Sequence, residues 1–83
     1  LAIARGLARE GIRVSTIQPG ICHAPAMARA TPQMLEALGN MVPFPQRLGR
    51  AEEYASMALE IVRNGYVNGE TIRLDGAIRM QPR

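Results

Sequence analysis

Two short segments rich in β-branched residues lie on either side of one amphipathic helix, and this order constrains the fold most strongly. Residues 12–18 read Ile-Arg-Val-Ser-Thr-Ile-Gln and end at Pro19-Gly20, which is typical of a strand followed by a turn. Residues 70–74, Glu-Thr-Ile-Arg-Leu, predict a second strand. Because a helix separates them, the strands are predicted to pair in parallel through a right-handed crossover. The sequence therefore predicts an α/β fold, whose parallel sheet needs helices over both faces.

The clearest helix is Ala51–Arg63, because its apolar residues recur at helical spacing. These residues are Ala51, Tyr54, Ala55, Ala58, Leu59 and Val62. Residues 1–10 predict another helix, which Gly11 ends by allowing a left-handed conformation. No residue that commonly caps helices precedes Leu1, so we expect this helix to begin upstream of the chain.

Between the two strands, residues 26–41 predict a loop and a short helix. Thr31 is a suitable N-cap, and Pro32 at the first helical position lacks only an N–H that would have no helical partner. Five apolar residues form the stripe of this segment: Met27, Met34, Leu35, Leu38 and Met41. The prolines of residues 43–45 (Pro-Phe-Pro) predict an extended segment, because proline disfavours helix in the residue before it.

Composition allows one small domain and gives it few large core residues. The 83 residues include 4% aromatic residues and no tryptophan, so we do not expect a self-sufficient core. The single cysteine, Cys22, excludes an intrachain disulfide and a cysteine-rich metal site, and it fits a reducing, cytoplasmic location. No apolar run approaches the ~18 residues that a membrane span needs.

All the positive side-chain charge comes from arginine, since the chain contains no lysine, and the net charge is +3. The arginines are scattered among glutamates and aspartates, and no aromatic residues alternate with them as in a base-stacking surface. No nucleic-acid partner is therefore predicted. Arginine-driven RNA binding stays open as an alternative, and it predicts steeply salt-dependent association.

Three motifs occur together in the order and spacing found in one enzyme family. Residues 11–20 run from Gly-Ile-Arg-Val to Pro-Gly, residues 66–76 run from Tyr-Val-Asn-Gly-Glu to Leu-Asp-Gly, and residues 47–49 (Arg-Leu-Gly) precede a helix that opens with two glutamates. In combination they resemble the last two strands of the short-chain dehydrogenase/reductase family. Residues 42–49 and 72–82 further resemble the family's branch of type 2 3-hydroxyacyl-CoA dehydrogenases.

The resemblance implies a doubly wound parallel, Rossmann-like sheet, of which residues 1–83 are the C-terminal part. The chain then contributes the last two strands and their flanking helices to a single domain, whose N-terminal cofactor-binding half and catalytic Tyr-x-x-x-Lys dyad lie upstream. The sequence agrees, since no two glycines stand two apart as in the phosphate-binding fingerprint. Tyr54 and Tyr66 are followed four residues on by Ala58 and Glu70, so neither begins the dyad and both are predicted to pack. No catalytic residue and no metal ligand is expected in this chain.

By the same resemblance, the backbone after the first strand lines the nicotinamide side of the cofactor site. The residues assigned to it are Pro19, Gly20, Ile21, Cys22 and Ala24. The glycine is expected to let the backbone approach a flat ring, and an ordinary strand-ending turn is the alternative. The family usually has threonine where this chain has Ala24, which removes a hydrogen bond to the carboxamide; His23 either replaces it or is simply solvated. The cofactor is expected to be NAD, with NADP not excluded because the residue that reads the ribose lies upstream.

Substrate contacts are expected from Met27, Met34 and Leu38, because the family's segment after Pro-Gly covers the substrate and methionine adapts to irregular apolar shapes. The alternative is that these residues only bury one side of a short helix. Arg47 is predicted to fix the turn before a helix. Asp75 is predicted to organise the turn that it forms with the following glycine.

The resemblance implies that the intact protein is a nicotinamide-dependent oxidoreductase that interconverts a secondary alcohol and a ketone, with a 3-hydroxyacyl-CoA as the candidate substrate. The chain alone is expected to be inactive. Family members form dimers and tetramers through the helix Ala51–Arg63 and the strand whose ends are Glu70 and Leu74, so a homo-oligomer is expected. The alternative function is a non-catalytic truncated subunit that pairs with a partner through that helix and strand.

Overall fold

The computed structural model describes residues 1–79, apart from the side chain of Ala26, and its elements alternate between helix and strand. Within this range they are α1 (Ala2–Leu7), a 3-10 turn (Ala8–Glu10), β1 (Thr16–Pro19), a 3-10 turn (Pro25–Arg29), α2 (Pro32–Asn40), α3 (Ala51–Arg63) and β2 (Thr71–Leu74). The closing motif extends into Met80, Gln81 and Pro82, which lie outside the described residues. The order of elements confirms the predicted α/β class.

The two strands form a parallel sheet, as predicted. Thr16 pairs with Thr71, and the register continues to the last residue of each strand. In β2, Ile72 and Leu74 are half-buried while Thr71 and Arg73 are exposed, which follows from the alternation of side chains along a strand. Within residues 1–79 the sheet contains only these two strands, so each keeps one edge without a strand neighbour there.

The first strand begins at Thr16 rather than at Ile12, because the residues before it contact a different part of the chain. The Val14 carbonyl accepts a hydrogen bond from the Gly69 N–H at 2.8 Å, and the Val14 N–H donates to Asn68 Oδ1 at 3.0 Å. Both contacts are with the turn ahead of β2. Propensity detects the β-branched residues but does not place the start of the neighbouring strand.

Arg13 joins the start of β1 to the end of α3. Its Nη1 donates to the carbonyl oxygens of Ile61, Asn64 and Val67 at 2.8, 3.2 and 3.1 Å, and its Nη2 donates to that of Val62 at 2.9 Å. The last carbonyl groups of a helix lack partners inside it, and the carboxyl end of the helix dipole favours a positive charge. Arg13 meets both needs from outside the helix. We call these four contacts the Arg13 clamp.

Helix α3 forms over the predicted residues, but most of its predicted apolar stripe does not face the rest of the chain. The half-buried positions are Glu53, Met57, Ala58 and Ile61. Leu59 and Val62 of the predicted stripe are 46% and 69% exposed. A second apolar surface therefore runs along the helix. We call it the outer face of α3, and it consists of Ala51, Ala55, Leu59 and Val62, all exposed.

Local sequence signals place two helix ends correctly. Gly11 ends the first helical segment with a φ of 71°, in the left-handed region. Thr31 caps α2, since its hydroxyl accepts a hydrogen bond from the Met34 N–H at 3.2 Å. Pro32 is the first residue of that helix, as predicted.

Residues 43–45 bend instead of extending, so that prediction is wrong. The Phe44 N–H donates to the Gly76 carbonyl at 3.2 Å, and the Phe44-Pro45 peptide is cis. The prediction used only the preference of residues that precede proline. A contact more distant in sequence decides the path of this segment.

Residues 1–79 bury few apolar side chains. Ala4, Val42 and Ile78 are the buried ones, whereas Tyr54 is 41% and Tyr66 98% exposed, so the prediction that both tyrosines pack is wrong. The radius of gyration is 15.7 Å, against about 12 Å for a compact chain of this length. The accessible surface is 6741 Å², about 1,900 Å² more than a compact monomer of this mass exposes. These values agree with the expectation that the chain lacks a self-sufficient core.

Candidate functional site

Residues 19–24 leave the carboxyl end of β1 and pass alongside Gly49; we call them the cofactor wall. The Ile21 carbonyl accepts a hydrogen bond from the Gly49 N–H at 3.0 Å, and the His23 N–H donates to the Gly49 carbonyl at 2.8 Å. Cys22 and Gly49 thereby form a parallel bridge. Ligands bind parallel sheets outside the carboxyl ends of the strands. The structure thus brings all five predicted cofactor residues onto one segment in a suitable place.

The cofactor wall offers both contact surface and backbone hydrogen-bond donors. Pro19 and Ala24 are exposed, and Ile21 and Cys22 are half-buried. Within residues 1–79, the N–H groups of Ile21 and Cys22 donate to no acceptor. A nicotinamide ring needs a flat contact surface, and its carboxamide needs hydrogen-bond partners, so these residues fit that group. The methyl group of Ala24 adds contact but no hydrogen bond.

Gly20 has no room for a side chain, because Asp75 and Ile78 pack against it. A Cβ built on Gly20 would lie 2.5 Å from Asp75 Cβ, 2.8 Å from Asp75 Cα and 3.3 Å from Ile78 Cγ2. The Gly20 N–H donates to the Leu74 carbonyl at 3.0 Å, which joins the ends of the two strands. The missing side chain therefore makes room for Asp75 and Ile78. This packing is a reason for the glycine that the sequence did not suggest, and the approach of a flat ring stays a prediction.

Asp75 closes the turn behind the cofactor wall. Its Oδ1 accepts a hydrogen bond from the Ala77 N–H at 3.0 Å, and its Oδ2 accepts from Arg73 Nε at 2.8 Å and from Arg79 Nη1 at 3.3 Å. The hydrogen bond from Arg73, with a smaller contribution from the Ala77 N–H, holds the pKa of Asp75 below its ordinary value although desolvation opposes the shift. These contacts agree with the predicted role of Asp75 in organising this turn.

Arg47 joins the residues that precede α3 to the first turn of that helix. Its Nη1 and Nη2 donate to the two carboxylate oxygens of Glu53 at 2.7 and 2.9 Å, and Nη1 also donates to the Leu48 carbonyl at 3.0 Å. Glu53 Oε1 accepts a further hydrogen bond from the Arg50 N–H at 2.8 Å, which satisfies one of the free donors at a helix start. The arrangement agrees with the predicted role of Arg47 in fixing the turn before the helix.

A cavity of about 110 Å³ lies between the cofactor wall, the residues before α3 and the turn after β2. Ile21 and Cys22 contribute to it from the wall, Val42 and Pro45 from the bent segment, and Gly76 from the turn. Pockets that hold small molecules usually measure ~300–1,000 Å³. The cavity is therefore too small to hold a dinucleotide. Of the residues predicted to contact the cofactor, only Ile21 and Cys22 line it.

The predicted substrate residues form a partly exposed apolar surface. Met27 lies in the 3-10 turn Pro25–Arg29 and is half-buried, as is Leu38 in α2. Met34 is 55% exposed and Met41 is 49% exposed. Burial of one side of a short helix does not account for these last two residues. None of the three predicted substrate residues lines the cavity beside Ile21.

Within residues 1–79, no group of three or more His, Cys, Asp or Glu side chains is placed to hold a metal ion. In the same range, no helix has both the length and the apolar character needed to cross a bilayer.

Comparison with known proteins decides the family. Residues 1–78 match the family model described as enoyl-(acyl carrier protein) reductase. Over 82 residues the chain is 51% identical to 3-hydroxyacyl-CoA dehydrogenase type-2 of Bos taurus, a match that covers 99% of this chain and 31% of the relative. The chain belongs to the short-chain dehydrogenase/reductase family.

Two further matches are to another dehydrogenase and to a solved structure. This short-chain dehydrogenase/reductase chain is 36% identical over 78 residues to ipsdienol dehydrogenase of Ips pini, covering 94% of this chain and 31% of the relative. The crystal structure of 3-hydroxyacyl-CoA dehydrogenase type-2 from Mycobacterium avium matches with a TM-score of 0.92 and 45% identity, over 99% of this chain and 32% of that one. The chain thus spans about a third of the length of these relatives.

Sequence reasoning assigned no role to Gly49 of this short-chain dehydrogenase/reductase. A Cβ built there would lie 3.0 Å from Cys22 Sγ, so a larger residue would fit beside the cofactor wall only if the Cys22 side chain shifted. The available signal was the position of Gly49 in the Arg-Leu-Gly motif, two residues before the first residue of α3. That motif supported the resemblance, but it did not reveal that Gly49 contacts Cys22.

The ion pair of Glu53 should make the stability of the fold sensitive to acid. The hydrogen bond from Arg47, followed by that from the Arg50 N–H, lowers the pKa of Glu53 from 4.5 to about 2. A lowered pKa in the folded state stabilises the fold above the unfolded-state value, and this stabilisation is lost as the pH falls through the folded-state value. In the full-length short-chain dehydrogenase/reductase, Glu53→Gln should therefore reduce the fall in unfolding free energy between pH 4.5 and 2, measured by urea titration. Glu52→Gln, the exposed neighbour, is the control; an unchanged slope in Glu53→Gln would contradict the ion pair.

Proposed function

We propose that the chain is the C-terminal part of a short-chain dehydrogenase/reductase that interconverts a secondary alcohol and a ketone, with a 3-hydroxyacyl-CoA as substrate. The observation that carries the proposal is the 51% identity over 99% of this chain to 3-hydroxyacyl-CoA dehydrogenase type-2. The match to the Mycobacterium avium protein of the same name supports it at the level of backbone structure. Ipsdienol dehydrogenase, at 36% identity, is a relative whose name indicates a different alcohol.

The C-terminal placement is supported by what the 83 residues lack. The family's phosphate-binding turn needs glycines two residues apart, and its dyad needs a lysine; the sequence has neither. A chain from the N-terminal third of such an enzyme would carry the glycine-rich turn directly after its first strand. Here the first strand is followed by residues 19–24, which read Pro-Gly-Ile-Cys-His-Ala.

In this proposal the chain binds and orients the cofactor and leaves the proton transfer to residues outside it. The nicotinamide, when bound, supplies the acceptor or donor of the hydride. Contact with the nicotinamide end is supported by the exposed surface of Pro19 and Ala24 and by the N–H groups of Ile21 and Cys22, which have no acceptor among residues 1–79. NAD is the proposed cofactor, and NADP is the alternative.

Met27, Met34 and Leu38 are proposed to cover the substrate. Their support is the partial exposure of the apolar surface that follows the cofactor wall, with Met34 55% exposed. Flexible, unbranched methionine side chains suit an acyl chain of variable shape. The single cysteine supports a reducing compartment, and the cytoplasm stays a prediction.

The proposal is tested with the full-length protein, a 3-hydroxyacyl-CoA and either dinucleotide, by the absorbance of the reduced nicotinamide. We expect turnover by the full-length protein and none by the isolated 83-residue chain. A full-length variant with phenylalanine in place of the upstream dyad tyrosine is the matched control, and it should be inactive. Turnover by the isolated chain at an ordinary enzymatic rate would refute the proposed division of labour.

Ala24→Thr should strengthen cofactor binding by the full-length protein. The added hydroxyl can form the hydrogen bond to the carboxamide that alanine lacks, a gain of about 0.5–1.5 kcal/mol. This corresponds to a dinucleotide dissociation constant about 2- to 12-fold lower, measured by fluorescence titration. Ala24→Val has nearly the same shape without the hydroxyl and should not lower the constant. If valine acts as threonine does, the hydroxyl has no such role.

Homo-oligomer formation is proposed through α3 and β2. The outer face of α3 (Ala51, Ala55, Leu59, Val62) is exposed over its length, and β2 has one edge without a strand neighbour within residues 1–79. The excess accessible surface of about 1,900 Å² for this mass exceeds what one side of an ordinary protein interface buries, about 800 Å². Both the missing part of the domain and a partner subunit are proposed to cover it.

The same observations support the second candidate function, a truncated subunit that only pairs with a partner. Sedimentation and circular dichroism of the isolated chain distinguish the two candidates. A catalytic fragment is expected to be poorly folded alone, whereas an independent interaction module should form a folded, defined oligomer. A well-folded monomer would contradict both.

A further inference from the structure

The turn after β2 contacts two separate parts of the chain through neighbouring residues. On one side, Gly20 of the cofactor wall lies against Asp75, where an added Cβ would come within 2.5 Å of Asp75 Cβ. On the other side, a Cβ on Gly76 would overlap Val42 Cγ1 and lie 3.1 Å from the Phe44 carbonyl oxygen. The backbone at both glycines is therefore packed closely against its neighbour, with no room for a side chain.

Hydrogen bonds join the same three parts. The Gly20 N–H donates to the carbonyl of Leu74, directly before the turn, at 3.0 Å. The Phe44 N–H donates to the Gly76 carbonyl within the turn at 3.2 Å. The cavity of about 110 Å³ lies between these parts, and Asp75 and Gly76 of the turn line it together with Ile21 and Val42.

The turn itself is held in an unusual conformation by one carboxylate. Gly76 and Ala77 both have left-handed φ values, 61° and 70°, and such a conformation is unfavourable for alanine. The Asp75 side chain is only 7% exposed and is bonded to Arg73 and Arg79 at 2.8 and 3.3 Å. Its other oxygen accepts the Ala77 N–H at 3.0 Å, which fixes that residue.

We propose that Asp75 is a positioning residue, which sets the cofactor wall and the segment of residues 42–45 at a fixed separation through this one turn. It touches no substrate or cofactor in this account. Its effect on the reaction passes through Gly20 to the wall and through Gly76 to the segment that follows the substrate cover. The catalytic part of this inference rests on the proposed function, whereas the structural part does not.

The test is Asp75→Asn in the full-length protein, which keeps the shape and one acceptor but removes the charge that holds both arginines. At a temperature well below unfolding, we expect a dinucleotide dissociation constant raised about fivefold and kcat/KM lowered about 10- to 100-fold. The substitution should accelerate amide hydrogen exchange at Gly20 and Phe44 more than it accelerates exchange at positions in α3. Glu10→Gln, which removes an exposed carboxylate far along the chain, is the control and should change none of these values.

Arg73→Gln should reproduce the effect, and the double variant with Asp75→Asn should be no worse than the stronger single variant, because both act through one turn. If Asp75→Asn does not fold, Arg79→Gln removes only the longer ion pair and should show a smaller change in the same direction. Equal acceleration of exchange at all amides, or no change at Gly20 and Phe44, would overturn the proposal. If the unmodified protein neither binds a dinucleotide nor turns over an alcohol, the proposed function fails, and exchange at these two amides still decides the role of Asp75.

Discussion

Gly20→Ala in the full-length protein is expected to lower the free energy of unfolding by about 1–3 kcal/mol and to weaken dinucleotide binding. The added methyl carbon would lie 2.5 Å from Asp75 Cβ and 2.8 Å from Asp75 Cα, far inside the ~3.5–4.0 Å at which carbon atoms pack. One of these neighbours is backbone, so no rotation of a side chain relieves the overlap. The cofactor wall and the turn after β2 must move apart, which displaces the backbone donors of Ile21 and Cys22.

The matched control is Gly65→Ala, because a Cβ at Gly65 meets nothing within 4 Å in the described chain. This substitution should change the unfolding free energy by no more than about 0.5 kcal/mol and leave dinucleotide binding unchanged. Denaturant titration and fluorescence titration measure the two quantities. Equal stability and binding for Gly20→Ala and Gly65→Ala would show that the close contact with Asp75 does not exist in the full-length protein.

Arg13→Ala should destabilise the full-length protein by about 1.5–3 kcal/mol, the range for a charged hydrogen-bonding group whose partners lose their donor. The substitution removes four hydrogen bonds of 2.8 to 3.2 Å to the end of α3 and the turn that follows it. It also separates the start of β1 from the residues that lead into β2. Thermal or denaturant unfolding measures the loss.

Arg63→Ala is the control for the Arg13 clamp, because it removes an arginine from the last turn of the same helix without removing the clamp. It should cost only the dipole contribution of about 0.3–1 kcal/mol. Arg13→Lys should fall between the two, since an ammonium keeps the charge but lacks the planar fork that reaches several carbonyl groups. If Arg13→Ala and Arg63→Ala lower the unfolding free energy equally, the Arg13 clamp stabilises the protein only through its charge.

The sequence was sufficient for features that depend on neighbouring residues. Gly11 and Thr31 end and begin helices through contacts within three residues along the chain, so their roles could be predicted from local chemistry. The parallel pairing of β1 and β2 also followed from the helix between them. The α/β class was therefore predictable before any tertiary contact was known.

Features that depend on distant residues were missed or explained only in part. Arg13 lies 48 residues from Ile61, whose carbonyl it binds, and nothing in the local pattern indicates that contact. Gly20 was expected only to face the cofactor, and its close packing against Asp75, 55 residues later, was not foreseen. The neighbours that crowd a glycine are set by tertiary contacts, which cannot be read from the local sequence.

Helix α3 illustrates a different limit. Its periodicity correctly predicts a helix, yet the stripe that includes Leu59 and Val62 is exposed and the inward side carries Glu53, Met57 and Ile61. A hydrophobic period reports every apolar surface that a helix presents. The period does not show whether a given surface packs against the same chain or against a partner subunit, as we propose for the outer face of α3.

The central claim is that these residues follow the catalytic dyad of a short-chain dehydrogenase/reductase. Its most direct test is the coding sequence on both sides of the 83 residues. We expect an open frame upstream with a Tyr-x-x-x-Lys motif shortly before Leu1 and a glycine-rich turn farther upstream. A start codon immediately before Leu1, or those two motifs downstream of Arg83, would contradict it.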